Sequence, residues 1–191
     1  KVQLPTDNGE PLLFNYLGYQ FRCVNGHTEL LLTEEKVKRY CNTIDCIFRA
    51  YAKVANHRTK DEHGRKHTDG LMQFMHRIDA LTGNGNLDSR RNFVKTGLFY
   101  SNRLLTDFSQ LDELDRYLAD TLNDPDRFSP PQNLFNYGDG NNHDENVNRI
   151  KEKILTKYSF KTGFHNRRMY RWNDYVVVLK QLQNLYYKSQ L

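Results

Sequence analysis

Leu17-Gly-Tyr-Gln-Phe-Arg-Cys-Val-Asn-Gly-His-Thr-Glu-Leu-Leu-Leu32 is the stretch whose reading decides the fold. An aromatic run precedes Asn25-Gly26 and an aliphatic run follows it. Asn and Gly tolerate the positive φ of a tight turn, so the pattern predicts a β-hairpin. Helical signals begin at once afterwards. Thr33-Glu-Glu places a capping hydroxyl and two acids where a helix N-terminus favours them. Thr43 offers a second cap, followed by Ile44, Ile47, Phe48, Tyr51 and Val54 on one helical face.

Beyond Val54 the pattern stays helical. Polar His57–Thr68 predicts an exposed loop. Leu71, Phe74, Met75, Ile78 and Leu81 recur at three and four and stop at Gly83, which predicts an amphipathic helix with a glycine end. A further helix is expected over Arg90–Leu105, interrupted by Gly97. Another begins at Ser109 with Leu111, Leu114, Leu118 and Leu122 on one stripe, and Asp144 starts one with Val147, Ile150, Ile154 and Tyr158 inward. Between them, residues 123–143 carry Pro125, Pro130, Pro131 and Gly-Asp-Gly, the signature of a long loop. Lys161–Arg171 reads as a basic, aromatic connector. A terminal helix is expected from Asn173-Asp174, carrying Tyr175, Val178, Leu179, Leu182, Leu185 and Tyr186. The fold class is therefore mainly α, of the α+β kind: an N-terminal β-hairpin, then a helical domain of about five or six helices. The natural division is a module at 1–57 and a helical domain at 58–191.

All three cysteines fall in one short window with a histidine among them: Cys23-x3-His27, thirteen residues, then Cys41-x4-Cys46. Zinc takes four nitrogen or sulfur ligands in a tetrahedron, and two local pairs supply them. A turn at Asn25-Gly26 would bring Cys23 and His27 together. Cys41 would close one short helix and Cys46 would open the next. Phe21-Arg-Cys-Val-Asn-Gly-His27 resembles the C-x-x-G-H knuckle of zinc-ribbon and treble-clef modules, in which a later Cys pair completes the site. The resemblance covers Tyr19 to about His57, and its Cys pair is spaced by four residues rather than two. It implies one structural zinc on Cys23, His27, Cys41 and Cys46, the hairpin being held by the metal. His57, His63 and His67 are candidates for a second metal.

The chain has 191 residues and a formal charge of +5. That figure conceals a partition. Residues 1–103 hold 16 basic and 11 acidic side chains, residues 104–148 hold 2 and 10, and residues 149–191 hold 10 and 2. Two readings follow: the acidic and basic thirds pack on each other, or a basic surface meets a polyanion. Two basic zones interleave with aromatic residues. One is Arg49, Lys53, Arg58, Lys60, Arg65 and Lys66; the other is His165, Arg167, Arg168 and Arg171 among Phe164, Tyr170 and Trp172. Cations contact phosphates while rings stack on bases, so DNA or RNA is the expected partner.

Other classes are constrained by absence of pattern. No P-loop, dinucleotide-binding glycine motif or nucleophile elbow occurs in the sequence. The longest apolar run, Tyr175–Leu179, is far short of the roughly 20 residues of a membrane span. No secretory signal is read in Lys1–Glu10, and an odd cysteine count argues against a disulfide scaffold, so an intracellular setting, cytoplasmic or nuclear, is expected. A zinc-containing nucleic-acid-binding protein of phage, viral or mobile-element type is the leading reading. The alternative is an assembly subunit using the acidic 123–143 arm or self-associating through opposite charges, and a metal-dependent nuclease is third.

Overall fold

A computed structural model describes residues 11–24, 26–55, 59–60, 66–67, 69–89, 92–131 and 143–169. The hairpin is present and larger than expected. Strands β1 (Leu12–Tyr16), β2 (Tyr19–Val24) and β3 (His27–Leu32) form an antiparallel sheet in that order. Val24 pairs with His27 across Asn25-Gly26, and Gly26 has φ +78°. The β1–β2 turn is Leu17-Gly18, with φ +48° and +76°. These are the signs of a twist-matched two-residue hairpin turn, built here with a leucine where Asn or Gly is usual. Tyr19, Cys23 and Leu32 share the inward face and are buried. The outer edge of β3 is held by a loop: Thr106 and Asp107 donate backbone N–H to the Leu30 carbonyl, and Gln110 brackets Leu32 by donating to its carbonyl and accepting from its N–H.

Helix α1 runs unbroken over Glu34–Val54, which corrects the expectation of two helices meeting near Thr43. Thr33 caps it by accepting from Lys36 N–H. Thr43 does not act as a cap. Its hydroxyl donates back to the Arg39 carbonyl 2.8 Å away, one turn earlier, so the potential cap is satisfied inside the helix. The buried stripe Ile44, Ile47, Phe48 and Tyr51 continues the apolar periodicity across the supposed break.

After α1 come a short pair of strands, β4 (Thr59–Lys60) and β5 (Lys66–His67), then α2 (Asp69–Thr82). The helix expected over Arg90–Leu105 is replaced by a hairpin, β6 (Asn84–Ser89) and β7 (Asn92–Gly97), and one turn of helix, α3 (Leu98–Ser101). Phe93-Val94 and Thr96 favour extended backbone. Gly97, at φ +112°, lies in a region that ordinary side chains rarely adopt, so it ends the strand and turns the chain into α3. Helices α4 (Ser109–Asn123), α5 (His143–Lys157) and α6 (Phe160–His165) complete the described chain. The protein is thus mixed α+β, with an N-terminal three-stranded sheet followed, among the described residues, by six helices.

One core cluster draws on elements from either side of residue 57. The rings of Phe48, Tyr51, Phe74 and Phe128 meet at centroid distances of 4.9 to 6.0 Å. Leu111, Leu114, Leu118 and Leu122 of α4, with Ile154 and Phe160, extend it. Phe128 belongs to the segment expected to be a long loop and acidic arm, and its ring is built into the core.

Buried Asn84 joins the start of β6 to α3 and to the turn that ends α6. Its backbone N–H donates to the Arg168 carbonyl at 2.8 Å, and its amide nitrogen donates to the carbonyls of Arg168 and Gly163. Its amide oxygen accepts from Phe99 N–H at 2.8 Å. Gly163 allows this approach because a Cβ there would collide with the Thr82 carbonyl. Asn84→Ala removes three side-chain bonds and leaves the Phe99 N–H without its partner. A loss of about 3 kcal/mol in unfolding free energy is expected by urea titration, with burial of polar groups as its cause; a loss below about 1 kcal/mol would show that water replaces the amide.

Candidate nucleic-acid interface

Helix α6 ends in a turn that separates two consecutive arginines. Arg168 N–H donates to the Gly163 carbonyl and Arg167 N–H to the Phe164 carbonyl, both at 3.2 Å. This crossed pair of bonds is the Schellman ending, and it places Arg167 at the left-handed position where glycine is favoured. Arg167 has φ +47°. Its side chain is exposed, and its guanidinium lies over the ring of Phe99, 4.5 Å from the centroid.

Arg168 takes the opposite course. Its side chain is 15% exposed and forms an ion pair with Asp79 of α2. It also donates to Thr82 Oγ1 at 2.7 Å and covers the ring of Tyr158. Burial lowers its pKa to about 10, which still leaves it charged at neutral pH beside its carboxylate. Arg168, read from sequence as a phosphate contact, is therefore an internal strut.

Around Arg167 a strip of rings and cations is continuous. Phe99 meets Tyr100 and Phe164 at 5.2 Å, and Phe164 meets Phe108 at 5.5 Å. Exposed His165 stands edge-on to Phe108 at 4.7 Å. Exposed Lys95 reaches over Tyr100 at 5.5 Å. The strip thus joins β7, α3, the residue before α4, and α6. Lys95, Phe99, Tyr100 and Phe108 lie far from Arg167 in sequence, and no local pattern links them to it.

The neighbouring cation Lys161 is already engaged. Its ammonium contacts the Asp112 carboxylate at 2.7 Å, and Asp115 accepts the backbone N–H groups of Phe160 and Lys161. Burial, opposed by those two hydrogen bonds, raises the Asp115 pKa above the usual carboxylate value. Part of the acidic third therefore does pack on part of the basic third.

The first basic zone is dispersed. Arg49 and Lys53 are exposed on α1, and Arg49 donates to Cys46 Sγ at 3.3 Å. Lys60 and Lys66 are register partners across β4 and β5. Arg58, Arg65 and Arg171 lie outside the described residues, as do His57, His63, residues 132–142 of the acidic arm and the terminal helix expected from Asn173.

The four residues read as zinc ligands are placed separately by this fold. Cys23 is buried on the inward sheet face with Thr28 Oγ1 at 3.4 Å, and His27 is exposed at the start of β3. Cys41 and Cys46 share the continuous α1. Five residues of helix turn them about 140° apart, toward different sides. Burial first, then the Glu113 and Asp45 carboxylates, push the Cys41 thiol up, away from the thiolate that zinc binds. Among the described residues, no group of three or more His, Cys, Asp or Glu side chains could hold a metal. The donor set does not fit a tetrahedral site in this arrangement, because the helix break that it needs is absent. No family model matches the chain, and neither a curated protein nor a solved structure shows significant similarity to it.

This geometry predicts that the four residues act independently. Cys46→Ser, at a buried position, is expected to lower the unfolding midpoint, whereas His27→Ala, at an exposed one, leaves it unchanged. Elemental analysis beside thermal unfolding checks this. Equimolar zinc released alike by substitution at each of the four would require α1 to break between Cys41 and Cys46.

Proposed function

We propose that this chain binds nucleic acid through the strip Lys95, Tyr100, Phe99, Arg167, His165 and Phe108. The observation that carries the reading is Arg167. A long charged side chain occupies a backbone conformation that favours glycine, at a cost of about 1 kcal/mol or more. It is solvent-exposed, has a ring beneath it, and has a buried neighbour anchoring its turn. Strain kept at an exposed cation is explained by what the cation does, and phosphate is the ligand that exposed arginine, lysine and histidine beside stacking rings suit best. Three free cysteines and the absence of a helix long and apolar enough to cross a membrane among the described residues are in keeping with an intracellular nucleic-acid partner.

The test uses the glycine preference itself. Arg167→Gly relieves the left-handed conformation, so the fold is expected to melt at or slightly above the wild-type temperature. Affinity for a fluorescein-labelled DNA is expected to fall about tenfold, roughly 1.4 kcal/mol, and the slope of log affinity against log salt to shrink by about one. Unchanged affinity and slope would remove Arg167 from the interface and the reading with it.

An assembly role has one specific observation in its favour, and it has moved from the acidic arm to the sheet. Strand β1, Leu-Leu-Phe-Asn-Tyr, is an edge without a single charge, and Leu13, Tyr16 and Leu17 are 54%, 60% and 78% exposed. Uncharged apolar edges pair readily with other strands. On this reading sedimentation velocity shows a concentration-dependent dimer that Leu13→Lys with Tyr16→Lys returns to monomer; a monomer throughout the range rejects self-pairing.

A further inference from the structure

We infer that the strip takes a single strand, DNA or RNA, and holds it by stacking as well as by charge; this rests on the nucleic-acid reading and adds the form of the ligand. In a duplex each base has both faces covered by its neighbours, and a protein meets only phosphates and groove edges. Reading a groove takes an element that protrudes, such as a helix or a two-stranded ribbon. Among the described residues the strip has no such helix, and of the two-stranded β6–β7 ribbon it takes only Lys95. Its helices are α3, of four residues, and α6, of six. Gly163 seats α6 against the Thr82 carbonyl, and Arg168 ties the following turn to Asp79.

What the strip presents instead is planar. The guanidinium of Arg167 lies over the Phe99 ring, and the Arg167 side chain is exposed. The imidazole of His165 stands against Phe108, and the Phe99 ring continues into Tyr100. Unpaired bases stack on aromatic rings and on arginine planes, and every base has a face to offer, so such contacts tolerate any sequence. A base laid on Arg167 would complete a three-layer stack of base, guanidinium and ring. Lys95 has no plane and would serve the backbone phosphate.

The turn is also arranged before any ligand arrives. Two crossed hydrogen bonds set the Arg167 backbone, and the Phe99 ring supports its side chain. Little rotamer freedom then remains to be lost on binding. A surface that merely attracted polyanions would gain nothing from that order, because phosphate contact is tolerant of geometry.

The experiment titrates the full chain, at one low and one moderate salt concentration, into labelled oligothymidylate, oligouridylate and a mixed-sequence duplex. Single strands are expected to bind at least about tenfold more tightly than the duplex, stacking being worth roughly that much per base. Arg167→Lys keeps the charge and loses the plane, and Phe99→Leu keeps the apolar volume and loses the ring. Each is expected to weaken single-strand binding roughly 5- to 20-fold and to leave the duplex almost unaffected. A 2-aminopurine placed in the oligothymidylate should lose fluorescence on binding to the wild type, as a stacked base does, and keep it with Arg167→Lys. Preference between the two single strands assigns DNA or RNA, and either supports the inference. Equal or tighter duplex binding, or Arg167→Lys behaving as wild type, overturns the single-strand inference while nucleic-acid binding stands. Failure of every form to bind at low salt overturns both.

Discussion

The carboxamide of Asn84 is the interaction on which the rest of the arrangement depends. It donates to the carbonyls of Gly163 and Arg168 and accepts from Phe99 N–H, while its own N–H meets Arg168 again. Three elements that are far apart in sequence thereby share one buried residue: the start of β6, the one-turn α3 and the end of α6. Aspartate would lack the donors and leucine would leave the Phe99 N–H without its partner, so the position demands an amide. Two glycines serve it. Gly163 lets α6 lie against the Thr82 carbonyl, and Gly97 passes close to the Asn84 backbone. The candidate interface rests on this junction, since Asn84 ties the Phe99 backbone to Gly163 and Arg168, on either side of Arg167.

Elements governed by local chemistry were legible in the sequence. The turn at Gly26, the α2 stripe ending at Gly83 and the leucine stripe of α4 each follow from a pattern within one element, and each is found. Errors arose where a residue has two local uses. Thr43 is a good cap and also a good donor to a carbonyl one turn back, and only the continuing buried stripe through Ile44 and Ile47 decides between them. Asn92–Gly97, inside the helix expected over Arg90–Leu105, forms β7 instead, its alternation masked by polar residues on both strands of the hairpin. Strand β1 went unread because its turn is Leu17-Gly18, in which leucine occupies a conformation it rarely adopts.

The site shows a sharper limit. Arg167 and Arg168 are chemically identical neighbours, and no sequence argument separates them. The helix end does: the position in the left-handed turn faces outward over Phe99, and the next residue returns beneath toward Asp79. Cysteine spacing is ambiguous for a related reason. Ligand spacing has meaning only relative to backbone geometry, and residues five apart cooperate across a turn but diverge along a helix.

The charge partition determines which cations remain free to act. Helix α4 spends its acids on the start of α6: Asp115 accepts from the N–H groups of Phe160 and Lys161, and Asp112 pairs with the Lys161 ammonium. Asp79 neutralises Arg168 from below. Each of these pairs lies on the inner or N-terminal side of α6. Arg167 and His165, at its C-terminal end, rest on rings instead of carboxylates. An aromatic partner orients a cation without cancelling its charge, whereas a carboxylate does both. The acidic third therefore anchors the helix while leaving the positive potential at its far end intact, and the same segment that lowers the net charge of the chain localises what is left of it.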